Sequence, residues 1–234
     1  MTSHKQTARI AGLIYLVVVI TGIISLMYIP NKLIVWNDAL ITYNNIIANQ
    51  ALFRFGLFSY IICYTFFLIL PLFLYKLLKS VNNNYALLMV ALAVVSVPMA
   101  LINIQNQFNV LSLISGADYL KVFSNEQLQS QVLLNLNQYD NGHLISLVFF
   151  GLWLFPFGYL VFKSGFLPKI FGVLLMLGCF SYLINFAGNT LYSDYSTLGI
   201  SPYIQLPASI GEIGICLWLL IIGSNKKKQI IYHN

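Results

Sequence analysis

Four side chains stand at helical spacing in one apolar run of this chain: Gln205, Ser209, Glu212 and Cys216, separated by four, three and four residues. In an α-helix that spacing puts all four on one face. Glu212 carries the most chemistry, because no other acidic residue lies inside an apolar run. It sits about nine residues beyond Tyr203, roughly 14 Å along a helix. A carboxyl in such surroundings holds a proton, pairs with a cation or grips the polar part of a ligand. Arg54 is the cation expected beside it, with His143 as the other candidate.

Further polar side chains repeat the pattern in other apolar runs. Ser181, Asn185 and Asn189 follow one another at four-residue spacing, and Asn103 and Gln107 end a third run beside Gln105 and Asn106. His143 and Ser146 open a fourth, and Arg54, Ser59 and Tyr60 begin a second. Polar groups in hydrocarbon face the interior of a helix bundle. Arg54, Asn103, Gln107, His143, Ser181, Asn185, Asn189, Gln205, Ser209 and Glu212 are therefore the expected lining of one outward-facing polar cavity. The competing reading is hydrogen-bonding glue between helices, worth about 0.6 kcal/mol per contact.

Signatures of catalysis are missing. There is no H-E-x-x-H, G-x-S-x-G, P-loop or dinucleotide-binding G-x-G-x-x-G. Two of the three histidines, His4 and His233, lie near the chain ends. Cys63, Cys179 and Cys216 stand in separate apolar runs with no CxxC pair, which reads as apolar packing rather than a metal set or a disulfide framework. No catalytic residue, metal or cofactor is expected.

The elements that must position these residues follow from composition. Of 234 residues, 59% are hydrophobic and only 8% charged, against about 25% charged in a soluble domain. The chain lacks the surface needed to stay in water alone, and its +6 charge does not make it a nucleic-acid binder. Six apolar stretches, near 10–30, 55–75, 85–104, 144–162, 170–190 and 203–223, each reach the roughly 20 residues a transmembrane helix requires. A barrel would show alternating strands of about 10 residues, and runs such as 13–24 do not alternate. The expectation is an all-α polytopic membrane protein, a single domain of six transmembrane helices over 1–234.

Orientation comes from the basic residues. Lys5, Arg9, Lys76, Lys79, Lys163, Lys169, Lys226, Lys227 and Lys228 fall on one side, and Lys32, Arg54 and Lys121 on the other. Basic residues of short loops stay in the cytoplasm, so both termini are expected there. The longer outer loops are expected to carry amphipathic helices that lie on the outer membrane face or roof the bundle. One begins at the N-cap Asp38. The other begins at the capping box Ser124–Gln127 and continues with Leu128, Val132 and Leu136.

Several of these segments resemble the bacterial domain-of-unknown-function 4386 family of small membrane proteins. They are R-I-A-G-L-I-Y-L at 9–16, L-I-S-G-A-D-Y-L at 113–120, F-F-G-L at 149–152, G-Y-L at 158–160, K-S-G-F-L-P at 163–168, and Gly211-Glu212 before L-W-L-L at 217–220. The resemblance spans nearly the whole chain and implies a six-helix protein of the bacterial cell membrane. Glu212 and Arg54 match the family pattern. That pattern has His where Trp153 stands and Asp where Asn185 stands, so this member lacks two ionisable groups. The expected function is to bind or move a small amphiphile or lipid through the polar cavity. The alternative is a structural or accessory membrane subunit without a ligand. The bilayer itself is the expected partner, and oligomeric state is not legible.

Overall fold

The computed structural model describes residues 4–224, the Ser196 side chain excepted. Lys226, Lys227, Lys228 and His233 lie outside the described residues, which contain helices and turns but no strand. Six helical segments are long and apolar enough to cross a membrane: His4–Leu33, Gln50–Leu78, Asn83–Leu113, Asn125–Lys163, Lys169–Leu191 and Ser201–Ile221. The shortest has 21 residues and extends about 31 Å, enough to cross the hydrocarbon core. The six expected spans are all present.

The first segment has three parts: α1 (His4–Gly22), a π-helical turn (Ile23–Tyr28) and α2 (Ile29–Leu33), whose first turn holds Pro30. After it comes α3 (Ala39–Ala48), where the Asp38 carboxylate accepts the Ile41 N–H at 2.8 Å as the expected N-cap. The long α4 (Gln50–Leu78) follows, then α5 (Asn83–Asn103) and α6 (Gln105–Leu113). Next are α7 (Asn125–Leu152) and α8 (Leu154–Lys163), followed by α9 (Lys169–Leu191) and α10 (Ser201–Ile221). Pro71, Pro98 and Pro207 sit inside α4, α5 and α10. Such positions are tolerated where neighbouring groups in a membrane bundle re-satisfy the freed carbonyls.

Two boundaries differ from the sequence expectation. The segment expected to end near residue 104 continues as α6 to Leu113 after a break at Ile104. The second outer amphipathic helix is not a separate surface element. It is the first half of α7, continuous with the fourth span. The Ser124–Gln127 capping box does start it, with the Ser124 N–H donating to Gln127 Oε1 at 2.8 Å and the Gln127 N–H to Ser124 Oγ at 3.3 Å. No proline follows to stop the helix, and Val132 and Leu136 are fully buried. The apolar stripe is buried against protein, the usual fate of the apolar face of an amphipathic helix.

The chain's contacts group into two compact units. One comprises Met1–Val17, Phe66–Val97 and Ile145–Asn234; the other comprises Val18–Thr65 and Pro98–Leu144. In the first unit α9 packs against both α8 and α10. Glycine permits the closest approach. A Cβ on Gly172 would stand 2.6 Å from the Phe162 backbone nitrogen, and one on Gly12 would meet the Leu219–Leu220 backbone. Helices in lipid gain association energy from such backbone proximity, since hydrophobic burial offers them little. Trp153 and Phe157, both buried, stack at 5.2 Å, with Phe67 edge-on to Trp153 at the same distance.

The second unit is held by amides and phenols. Asn103 Nδ2 donates to the Tyr139 carbonyl at 2.7 Å, and Asn106 Nδ2 donates to Asn103 Oδ1 at 3.1 Å. Asn109 Nδ2 donates to Asn135 Oδ1 at 3.0 Å, and the buried Tyr60 hydroxyl to the Ala100 carbonyl at 3.2 Å. Gly142 faces the Asn103 side chain, which would collide with any Cβ there.

Candidate functional site

Glu212 lies on α10, half-buried, with two partners in the first unit. The Tyr15 hydroxyl of α1 donates to Glu212 Oε2 at 3.1 Å. The Tyr182 hydroxyl of α9 donates to Oε1 at 3.3 Å. Each carboxyl oxygen thus has one phenol donor. The buried face of α10 runs through Ala208, Gly211, Ile215, Cys216 and Leu219, with Glu212 on its flank. Small residues bring the neighbours this close. Gly12, three residues before Tyr15, lets α1 reach the α10 backbone, and the Cys216 thiol points at the Gly12 carbonyl at 3.7 Å. On the other side a Cβ at Gly211 would lie 3.1 Å from the Leu175 backbone nitrogen of α9.

The expected counter-ion is replaced by these two phenols. Arg54 belongs to the second unit and is exposed, and the one ion pair among the described residues joins Lys121 to Asp118. A carboxylate offers about four lone-pair positions, and the phenols occupy two. The remaining positions can accept an ammonium, a hydroxyl or a proton. Among the described residues no three His, Cys, Asp or Glu side chains converge as a metal set.

The other candidates divide between the units. In the first, Gln205 is half-buried and Ser209 exposed, so the stripe that ends at Glu212 keeps an accessible edge. Asn185 is buried and accepts the Tyr195 hydroxyl on Oδ1 at 2.7 Å. Its Nδ2 finds no partner among the described residues. Ser181 donates to the Leu177 carbonyl and Asn189 to the Asn185 carbonyl, each within α9 itself. In the second unit Asn103 is committed to the α7 backbone. Gln107 is buried, and His143 lies parallel to the Tyr139 ring with centroids 6.5 Å apart.

Sequence reasoning missed Tyr15 and Tyr182. A signal was present: tyrosine in a membrane span ordinarily sits at the interface, whereas Tyr15 stands well inside the first apolar run.

The family described as Domain of unknown function (DUF4386) matches residues 10–223. The chain belongs to this family. This DUF4386 member is also 34% identical, over 76 residues, to an uncharacterised protein of Archaeoglobus fulgidus. That match covers 32% of the chain and 43% of the archaeal protein. No solved structure matches the DUF4386 chain. The matched range contains Tyr15, Tyr182 and Glu212, so the whole site lies inside the family region.

Proposed function

We propose that the protein binds a small amphiphile in the membrane, with the amphiphile's polar end at Glu212. One observation carries the reading: among the described residues, a half-buried carboxyl within a membrane span has two neutral phenol partners, Tyr15 and Tyr182, and no cation. A carboxylate left facing hydrocarbon is costly, so a donor from outside the protein stabilises it. An ammonium or hydroxyl head group supplies that donor, and the accessible Ser209 and half-buried Gln205 continue the polar edge along α10. The setting we propose is a bacterial cell membrane with both termini in the cytoplasm, supported by the basic residues concentrated on one set of loops.

The test is thermal unfolding of the full chain in nanodiscs with three single-chain amphiphiles of equal length, bearing amine, alcohol or carboxylate heads. The amine should raise Tm most, and Glu212→Gln should remove that gain. A ligand at about 100 times its Kd adds about 2.7 kcal/mol to stability, a readily measured shift. If no head group moves the wild-type Tm, the reading fails. The second reading, a structural subunit without a ligand, draws on the Asn103, Asn106, Asn109 and Asn135 network, in which the amides of Asn103, Asn106 and Asn109 are spent on neighbouring helices.

A further inference from the structure

The π-helical turn Ile23–Tyr28 has a consequence independent of Glu212. In its register the Ile29 N–H donates to the Ile24 carbonyl, five residues back. The next donor in that register, due to the Ser25 carbonyl, falls on Pro30, which has no N–H. The Ser25 hydroxyl gives its own proton to the Thr21 carbonyl at 2.8 Å, leaving the oxygen free to accept. Beside this turn lies a pocket of about 10 Å³ lined by Ser25, Pro30, Phe53, Gly56 and Gln107, among others. Gln107 is 6% exposed. Its backbone N–H is bonded to the Ile104 carbonyl, and its side-chain amide has no partner among the described residues.

We infer that this pocket is a binding site for a single water molecule, held between the Gln107 amide and the oxygens of Ser25. The pocket has room for a water-sized molecule, and an ordered water needs two to four polar partners. Gln107 supplies a donor and an acceptor, and Ser25 supplies acceptors that the helix cannot satisfy. Filling the pocket with a hydrocarbon group would strand all of them. The water joins α6 to the π-helical turn and keeps that turn in its wide register. π-turns recur at functional positions in helices, and here the sequence cause is the coincidence of Ser25 with Pro30 five residues on.

The experiment uses Gly56, which lines the pocket and whose Cβ would stand 3.2 Å from Ile29 Cδ1. Tm is measured for the full chain and for Gly56→Ala, Gln107→Met and the double variant. A density map of the wild type at water-resolving quality accompanies them. In a water site, Gly56→Ala expels the water and lowers Tm by on the order of 5 °C. The same substitution in the Gln107→Met background has little effect, because no amide is then stranded. The map shows one peak within hydrogen-bonding reach of Gln107 and Ser25. A pocket without a peak, together with a rise in Tm for Gly56→Ala, overturns the inference. Equal losses in both backgrounds assign the cost to crowding of Ile29 and also overturn it. A wild-type Tm that depends on sodium, relative to choline at equal ionic strength, replaces the water with a cation and overturns it as well.

Discussion

A carboxyl that shares two phenol protons behaves differently from one paired with an arginine, and substitution distinguishes the two. Glu212→Gln keeps an acceptor for one tyrosine, and the other hydroxyl can rotate to accept from the new amide. The expected loss is about 1 kcal/mol. Glu212→Leu leaves the Tyr15 hydroxyl, which is almost wholly buried, without an acceptor and should cost about 1–3 kcal/mol. In a double-mutant cycle, Tyr15→Phe combined with Glu212→Leu should cost clearly less than the sum of the two single changes. Arg54→Gln should stay within about 0.5 kcal/mol, as exposed substitutions do. Thermal unfolding in detergent measures all four. A loss for Arg54→Gln equal to that for Glu212→Leu would restore the ion pair expected from sequence.

At the scale of elements, two kinds of contact bind helices here, and each predicts a different response. In the first unit α1 meets α10 backbone to backbone at Gly12. Gly12→Ala should force the helices apart and cost about 1–3 kcal/mol by overpacking, with Tyr15 drawn away from Glu212. In the second unit Asn103 spans from α5 to the Tyr139 carbonyl in α7. Asn103→Leu should cost about 1–3 kcal/mol, because the Tyr139 carbonyl and the Asn106 amide each lose a partner. Gly142→Ala should be comparably harmful, because its methyl group would occupy the place of the Asn103 side chain. The helix caps were legible in sequence because a cap is local: Asp38 and the Ser124–Gln127 box act within three residues. The fate of the helix behind the second cap was not. Whether Val132 and Leu136 meet lipid or protein depends on what packs beside them.

For the whole molecule the consequential expectation is topology. With both termini in the cytoplasm, a cysteine placed at Asn125 should react with an impermeant maleimide from outside, and one at Asn82 should not. The three native cysteines are buried and should contribute little background. The reverse pattern would turn the α10 polar edge toward the other compartment without altering the Glu212 site.

The amino-acid sequence by itself determined that six segments cross the membrane and that Glu212 is the carboxyl to watch. Insertion depends on about 20 consecutive apolar residues, a sum over neighbours in the chain. Tertiary structure alone decided who meets Glu212. Tyr15 lies 197 residues away in sequence, and the spacing that gathers Gln205, Ser209 and Glu212 on one helix face does not say which other helix that face meets. The close approach that brings Tyr15 to the carboxyl depends on Gly12 lying against the α10 backbone. Packing likewise separated the amides spent on helix contacts, such as Asn103, from the stripe of Gln205, Ser209 and Glu212 that keeps an accessible edge. Asn103 and Gln205 carry the same amide group, and what separates them is what the fold sets beside each.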